Sequence, residues 1–239
     1  MWDKMDSMYR FVSVVGIAGV AALLIVYHVI LRRRRISKET DPRNIRRFSI
    51  LERLVHLIAV LSLLTLAATG FAAVFAGGPL RGTLWLVHYL VAPVFAAAVT
   101  IIALIWAKDG RFELYDLRWL IHLGGYLWKK DGLPAGRFNA GQKKFLWFVA
   151  VFSMAVILSG IGRMFPVLGA TGQEVLYQVH RYAALLLVMG VIAHFYLGAF
   201  ANPGTIWAMI TGYVSSHWAK HHHPNWWEGI EGGKENEKR

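Results

Sequence analysis

Five long apolar runs, each bounded by charged or turn-forming residues, dominate the sequence. They cover Phe11–Leu31, Leu51–Phe75, Leu84–Ala107, Phe145–Phe165 and Tyr177–Phe200. A helix needs roughly 20 apolar residues to cross the hydrocarbon core of a bilayer, and the interior of each run is nearly free of charge. The breaks between the runs are rich in Gly, Pro and charged residues. The pattern therefore predicts an all-α integral membrane bundle with five transmembrane helices.

The composition supports a lipid environment and excludes several kinds of chemistry. Of the 239 residues, 56% are hydrophobic and only 17% are charged, and the mean hydropathy is +0.43. The net charge of +12 comes from basic residues beside the apolar runs, which is typical of membrane flanks and does not favour nucleic acid as a partner. The chain has no cysteine, which excludes disulfides, thiolate zinc sites, cysteine-ligated iron–sulfur clusters and c-type haem on this chain.

The basic residues predict the orientation of the chain in the membrane. They concentrate between the first and second runs, between the third and fourth runs, and in the tail, in the segments 32–53, 108–144 and 220–239. The positive-inside rule then places the N-terminus outside and the C-terminus in the cytoplasm. The first run is expected to be a retained anchor and not a cleaved signal peptide, because Arg32–Arg35 follow it.

Four histidines lie within the predicted spans, where ionisable residues are costly and usually mark a site. His56 and His194 lie near the cytoplasmic ends of the second and fifth spans, and His88 and His180 lie near the outer ends of the third and fifth. Depth therefore pairs His88 with His180 and His56 with His194. Two axial imidazoles hold the iron of b-type haems without any cysteine, so the pattern predicts two stacked haems. Zinc or copper is disfavoured because no carboxylate, thiolate or third imidazole joins either pair.

Each of four other residues near these histidines has two possible roles. Gly70 and Gly160 interrupt the second and fourth spans, where small residues give room to a macrocycle or simply allow close helix packing. Arg53 and Arg181 lie close to candidate ligands and are suited either to haem propionates or to anchoring helix ends at the headgroups.

The remaining histidines are not expected to be haem ligands. His28 has no partner at its depth and is interpreted as interfacial. His122 lies on a predicted surface helix, and His217 lies in the predicted cytoplasmic tail. The run His221–His223 could bind metal, but a solvated or subunit-contacting tail is the favoured reading.

Over about Arg46 to Glu231 the sequence resembles the cytochrome b (gamma) subunit of respiratory, membrane-bound formate dehydrogenases. The segments that carry the resemblance are Phe138-Asn139-Ala140-Gly141-Gln142-Lys143, Gly204-Thr205-Ile206, Gly212-Tyr213-Val214-Ser215, Trp218-Ala219-Lys220 and His222-His223-Pro224 to Trp226. The resemblance implies a four-helix dihaem core whose ligands fall on His56, His88, His180 and His194, in the pairing that depth predicts. The extra N-terminal span has no counterpart in that core.

The resemblance also implies a quinone site, partners and a location. Menaquinone or ubiquinone would lie beside the cytoplasmic-side haem, near Asn139, Gly141, Gln142 and His194. From the residues alone, Asn139-Ala140-Gly141 is typical of a helix-capping turn, although amide and backbone N–H donors also suit a quinone carbonyl. An iron–sulfur (beta) subunit would supply electrons on the outer face, and a molybdenum or tungsten catalytic (alpha) subunit would oxidise formate. The location implied is a bacterial cytoplasmic (inner) membrane.

The sequence thus predicts three regions and leaves two alternative functions open. Residues 1–45 form an anchor and basic linker, 46–203 a dihaem core with a cytoplasmic loop at 108–143, and 204–239 a cytoplasmic tail. One alternative is the cytochrome b partner of a nickel–iron hydrogenase, which has a similar bundle. The other is a haem-free transporter or anchor, disfavoured because few polar residues other than the histidines line the spans.

Overall fold

A computed structural model describes residues 2–31, 41–126, 132–165 and 167–236. The basic residues at 32–35 and 129–130 therefore lie outside the described residues. The helices and strands follow one another in this order: α1 Trp2–Val26 with a π-helical turn Tyr27–Leu31, β1 Ile45–Arg46, α2 Ile50–Ala76, α3 Gly82–Trp106, α4 Leu114–Ile121 with a 3-10 turn Leu123–Gly125, α5 Ala140–Met164, α6 Gly169–Tyr196 with a π-helical turn Leu197–Ala201, α7 Thr205–Ile210, β2 Tyr213–Val214, α8 Ser216–His222 and α9 Pro224–Asn236.

Five of these helices are long and apolar enough to cross a membrane, which confirms the predicted spans and the all-α membrane bundle. Each of the five helices begins before the apolar run that predicts it. At the start of α2, the Ser49 backbone N–H donates to the Glu52 carboxylate at 2.7 Å, and the Glu52 backbone N–H donates to the Ser49 hydroxyl at 3.2 Å. This reciprocal capping box fixes the first turn of α2.

The described chain forms two compact units, and the first comprises residues 1–24, 54–103 and 148–193. Its core is a set of apolar side chains from α2, α3 and α6, namely Val55, Ala59, Leu66, Phe95, Ala98, Val99 and Leu187. The opposite face of α2 exposes Leu57, Leu61 and Leu64. An apolar face without protein cover is what a lipid-facing helix presents.

Helix α1 packs along α6 in the first unit, and the two helices run in the same direction. The Tyr9 and Tyr182 rings lie 5.1 Å apart between centroids, and further along both helices a Cβ added to Gly16 would lie 3.1 Å from the Met189 sulfur. The first and fifth of five alternating crossings must be parallel, so this packing is consistent with five crossings.

The second unit comprises residues 25–53, 104–147 and 194–239, and charged side chains form part of its core. Strand β1 pairs antiparallel with β2, with Ile45 opposite Val214. The Lys143 ammonium and the Asp116 carboxylate form an ion pair of 2.6 Å in which each side chain is only 2% exposed. Arg137 bridges Asp109 and Glu52, each at 2.6 Å. These pairs tie the loop before α5 to the start of α2.

Candidate functional site

Two of the four predicted ligands face each other in the first unit. The His88 ring on α3 and the His180 ring on α6 lie 6.3 Å apart between centroids, and their planes are 55° apart. Both side chains are half-buried. The structure therefore brings together the pair that depth predicts for the outer site.

Hydrogen bonds fix the tautomer of both rings. His180 Nδ1 lies 3.0 Å from the Val156 carbonyl oxygen, which can only accept, so Nδ1 carries the hydrogen and donates it. The Thr69 hydroxyl donates to the Thr65 carbonyl at 2.9 Å, which leaves its oxygen to accept from His88 Nδ1 at 2.8 Å. The Nε2 lone pair of each ring is consequently available to a metal. Ligating histidines are commonly oriented by such a bond from the second nitrogen.

Two glycines line the same rings. A Cβ added to Gly70 would lie 3.7 Å from His88 Cε1, and one added to Gly160 would lie 3.4 Å from His180 Cε1. Outside each glycine's own helix backbone, the described atoms within 4 Å of these added Cβ positions all belong to the imidazole rings. Each glycine therefore allows a ring to lie close to its helix, which is compatible both with room for a macrocycle and with close packing.

The two rings are close enough for both to hold one metal ion. A metal–imidazole bond is about 2.0 Å long, and the ring centroids lie 6.3 Å apart. His88 and His180 would therefore hold a haem iron, which would supply one-electron chemistry. Within residues 2–31, 41–126, 132–165 and 167–236, no three His, Asp or Glu side chains cluster as a metal site, so the donor set is two imidazoles. Two imidazoles suit haem iron.

Substitutions at Gly160 test whether the space beside the His180 ring is needed for haem binding. Gly160→Leu is expected to displace the His180 ring and to lower the haem content, because the larger side chain must occupy the space beside Cε1. Gly160→Ala is the matched control and should retain haem, since a Cβ there makes only ordinary van der Waals contact. Haem per chain, measured as the pyridine haemochromogen, distinguishes the two. Equal haem in both variants would assign Gly160 to helix packing.

The other two predicted ligands belong to different units and are described separately. His194 is in the second unit, where its ring stacks on Phe145 with centroids 4.2 Å apart and planes 4° apart. Phe145 follows the Asn139–Gln142 motif by one turn of α5, so this stack brings α6 beside the motif. His56 is in the first unit, half-buried on α2.

The Asn139–Gln142 motif forms the beginning of α5. The Gln142 backbone N–H donates to the Asn139 side-chain oxygen at 2.9 Å, and the Asn139 backbone N–H donates to the Gln142 side-chain oxygen at 3.1 Å. This is the capping turn that the residues alone favour. Gly141 is required here, because a Cβ would lie 2.6 Å from the Trp119 ring.

Arg47, which directly follows β1, supports the motif and was not recognised from the sequence. Its guanidinium donates to the Arg137 carbonyl at 2.8 Å and to the Gln142 side-chain oxygen at 3.3 Å, and it lies 4.5 Å from the Trp218 ring centroid. Burial, together with the neighbouring Arg137 charge, lowers the pKa of Arg47 to about 9. The cation is thus held between backbone, amide and aromatic faces.

The tail histidine His223 belongs to the same buried cluster. It is 1% exposed, and its Nδ1 donates to the Gly136 carbonyl at 2.7 Å. Burial, and then the Arg47 charge, lower the pKa of His223 well below its usual value. His223 therefore anchors the tail to the segment before Asn139, while His217 stays exposed.

The two arginines and His28 have defined partners. Arg53 donates to the Met209 carbonyl at 2.9 Å and to the Ile210 carbonyl, at the end of α7. Arg181 pairs with Asp6 at 2.5 Å. His28 Nδ1 is 3.0 Å from the Tyr196 hydroxyl, a partner that pairing histidines by depth could not find.

The hydroxyl partners of His88 and His180 were also not predicted from the sequence, although the sequence contains a signal for them. Thr69 directly precedes Gly70, and Ser159 directly precedes Gly160 and lies 3.2 Å from His180 Nδ1. A hydroxyl residue followed by glycine in the middle of an apolar span thus marks each wall of this site.

Taken together, the five spans and the paired imidazoles define a multi-pass membrane protein suited to binding haem. The family model described as prokaryotic cytochrome b561 matches residues 47–212, and the chain belongs to this family. The family implies haem b.

Comparison with known proteins confirms the resemblance to formate dehydrogenase cytochrome b subunits. The formate dehydrogenase cytochrome b556(fdo) subunit of Escherichia coli (strain K12) is 27% identical over 195 residues, which covers 77% of this chain and 92% of that protein. The nitrate-inducible cytochrome b556(Fdn) subunit of the same strain is 32% identical over 127 residues, covering 48% and 56%. The cytochrome b556 subunit of Haemophilus influenzae is 26% identical over 216 residues, covering 81% and 86%.

Proposed function

We propose that this chain is the membrane cytochrome b subunit of a formate dehydrogenase complex. It would take electrons from an iron–sulfur (beta) subunit on the outer face and deliver them to quinone near the cytoplasm, by way of two b haems. Formate would be oxidised on a molybdenum or tungsten (alpha) subunit. The observation that carries the proposal is the facing pair His88 and His180, in a chain whose named relatives are cytochrome b subunits of formate dehydrogenases.

The first haem would be held by His88 and His180. Their Nδ1 hydrogens are used in bonds to Thr69 and Val156, which keeps each Nε2 free and each ring fixed. Gly70 and Gly160 keep side chains away from the rings. The iron would supply one-electron chemistry, and the chain would supply ligation, orientation and exclusion of water.

The second haem would be held by His56 and His194. This assignment rests on the sequence positions and the family resemblance.

Quinone would bind near Asn139, Gly141, Gln142 and His194. The stack of Phe145 on His194 supports this grouping, because it brings α6 to within one turn of the motif. A quinone carbonyl needs hydrogen-bond donors, and amides and backbone N–H groups at a helix start provide them. Basic residues flanking the spans support a cytoplasmic C-terminus, and quinone reduction at that side would take protons from the cytoplasm.

The test of the proposal is reduction of the haems in the intact membrane complex under anaerobic conditions. Formate should reduce the b-type haems, and added menaquinone or ubiquinone analogue should reoxidise them. Hydrogen gas serves as the control and should leave the haems oxidised. Reduction by hydrogen and not by formate would contradict the assignment in favour of a hydrogenase partner.

The capping motif gives a second prediction. Asn139→Ala is expected to leave both haems in place but to slow quinone reduction, and to cost about 1 kcal/mol of stability through the lost cap. Asn139→Ser is the matched variant, because serine also caps a helix but lacks the amide donor. Quinone reduction by the formate-reduced complex should be slow in both. Normal rates in Asn139→Ser would restrict the residue to capping.

A further inference from the structure

The N-terminal helix α1 contacts the residue that directly follows a proposed haem ligand. Arg181 follows His180 on α6 and is only 5% exposed. Its Nη1 donates to the Asp6 carboxylate of α1 at 2.5 Å, and its backbone oxygen accepts from the Tyr9 hydroxyl at 2.8 Å. Two residues of α1 thus bind one residue of α6, through its charge and through its backbone.

Aromatic rings enclose the Arg181 cation. Its guanidinium carbon lies 4.6 Å from the Tyr9 ring centroid, 4.7 Å from that of Tyr177 and 5.6 Å from that of Tyr182. Its Nε donates to the Gln178 side-chain oxygen at 2.8 Å. The charge is therefore fixed in position and shielded from water, where electrostatic interactions are stronger than at an exposed surface.

One side of α1 in this unit is closely packed, whereas Val14 and Val15 are exposed. Tyr9 is 2% exposed and Ser13 is fully buried, with its hydroxyl donating to the Tyr9 carbonyl at 2.8 Å. Gly16 has no side chain where the Met189 sulfur approaches. The segment that matches the family begins at residue 47, so α1 adds these contacts to the family core.

The charge balance beside His180 has a redox consequence. Arg181 carries a positive charge and directly follows a proposed haem ligand in the sequence. Asp6 carries the negative charge that pairs with it. Ferric haem has one more positive charge than ferrous haem, so a nearby anion favours the ferric state and lowers the midpoint potential. Removal of the Asp6 charge makes the surroundings of His180 more positive, which favours the ferrous state.

We propose that α1 packs on α6 so that its Asp6 carboxylate lowers the midpoint potential of the haem held by His88 and His180. Asp6 acts through Arg181 and is a positioning residue. The proposal rests on the proposed function, because it requires haem at this pair.

Redox titration of the purified complex, followed at the haem absorption bands, tests the electrostatic part. Asp6→Asn should raise the midpoint potential of one haem and leave the other unchanged, and Asp6→Glu should restore the original value. Asp41→Asn is the control, since Asp41 is an exposed carboxylate elsewhere in the chain. Unchanged potentials in Asp6→Asn with full haem content would overturn the proposal.

A disulfide cross-link that does not depend on haem tests the packing of α1 on α6. The chain has no cysteine, so the paired substitutions Gly16→Cys and Met189→Cys introduce the only thiols. This pair should form a disulfide on mild oxidation. The control pair Val14→Cys and Met189→Cys should not, because Val14 is 53% exposed. Failure of the first pair to cross-link would overturn the packing of α1 on α6. A double-cysteine variant that cross-links, together with wild-type protein that contains no haem, would contradict the proposed function instead.

Discussion

Replacing His88 with alanine should reduce the haem content of the purified protein from two haems per chain to one. The remaining imidazole of His180 would offer a single axial ligand, and the ring that opposes it at 6.3 Å would be gone. The absorption bands of the retained haem should be those of a low-spin b-type haem, because its ligands lie elsewhere. His56→Ala is expected to remove the other haem in the same way.

A matched control for His88→Ala is available in the tail. His217 is exposed, and His217→Ala should retain both haems. Haem quantified per chain, together with the reduced-minus-oxidised spectrum, is the readout for all three variants. Two normal low-spin haems in His88→Ala would refute the assignment of this pair.

Replacing Lys143 with methionine should destabilise the protein by about 3 kcal/mol, since it leaves a buried carboxylate without its counter-charge. Lys143 and Asp116 each have a side chain that is only 2% exposed, and among the described residues Asp116 Oδ1 has no hydrogen-bond partner. Methionine keeps most of the side-chain volume, so the loss would come chiefly from the charge. Chemical unfolding in detergent, followed by tryptophan fluorescence, measures the change.

The neighbouring Lys144 provides the control for this effect, because its side chain is exposed. Lys144→Met should change the unfolding free energy by no more than a few tenths of a kcal/mol. The double substitution Lys143→Met with Asp116→Asn should recover part of the loss, since the unpaired charge is then removed. Equal destabilisation by Lys143→Met and Lys144→Met would show that the pair contributes nothing.

The spans and the proximity of His88 and His180 were predictable because the signals for them are local. Hydropathy over roughly 20 residues defines each membrane helix, and a histidine inside such a helix is rare enough to identify a site. Depth along the helices was then sufficient to pair His88 with His180. The glycines beside these rings were found by the same reasoning, since a mid-span glycine interrupts an otherwise bulky pattern.

The remaining features depend on contacts between residues that are far apart in the sequence. Strands β1 and β2 are two residues each and pair across most of the chain, so neither has a propensity signal of its own. The pairing of Asp6 with Arg181 depends on the parallel packing of α1 and α6, which no local pattern encodes. The burial of His223 depends on the tail folding back to Gly136. A polar tail sequence predicts solvent exposure unless that contact is known.

Haem binding by this chain is tested by a dithionite-reduced minus oxidised absorption spectrum of the detergent-purified protein, with haem quantified per chain. We expect b-type bands and two haems per chain. A flat spectrum from protein produced with an intact haem supply would contradict it. The histidines would then serve packing or proton transfer, and the family relationship would describe ancestry without the electron-transfer function.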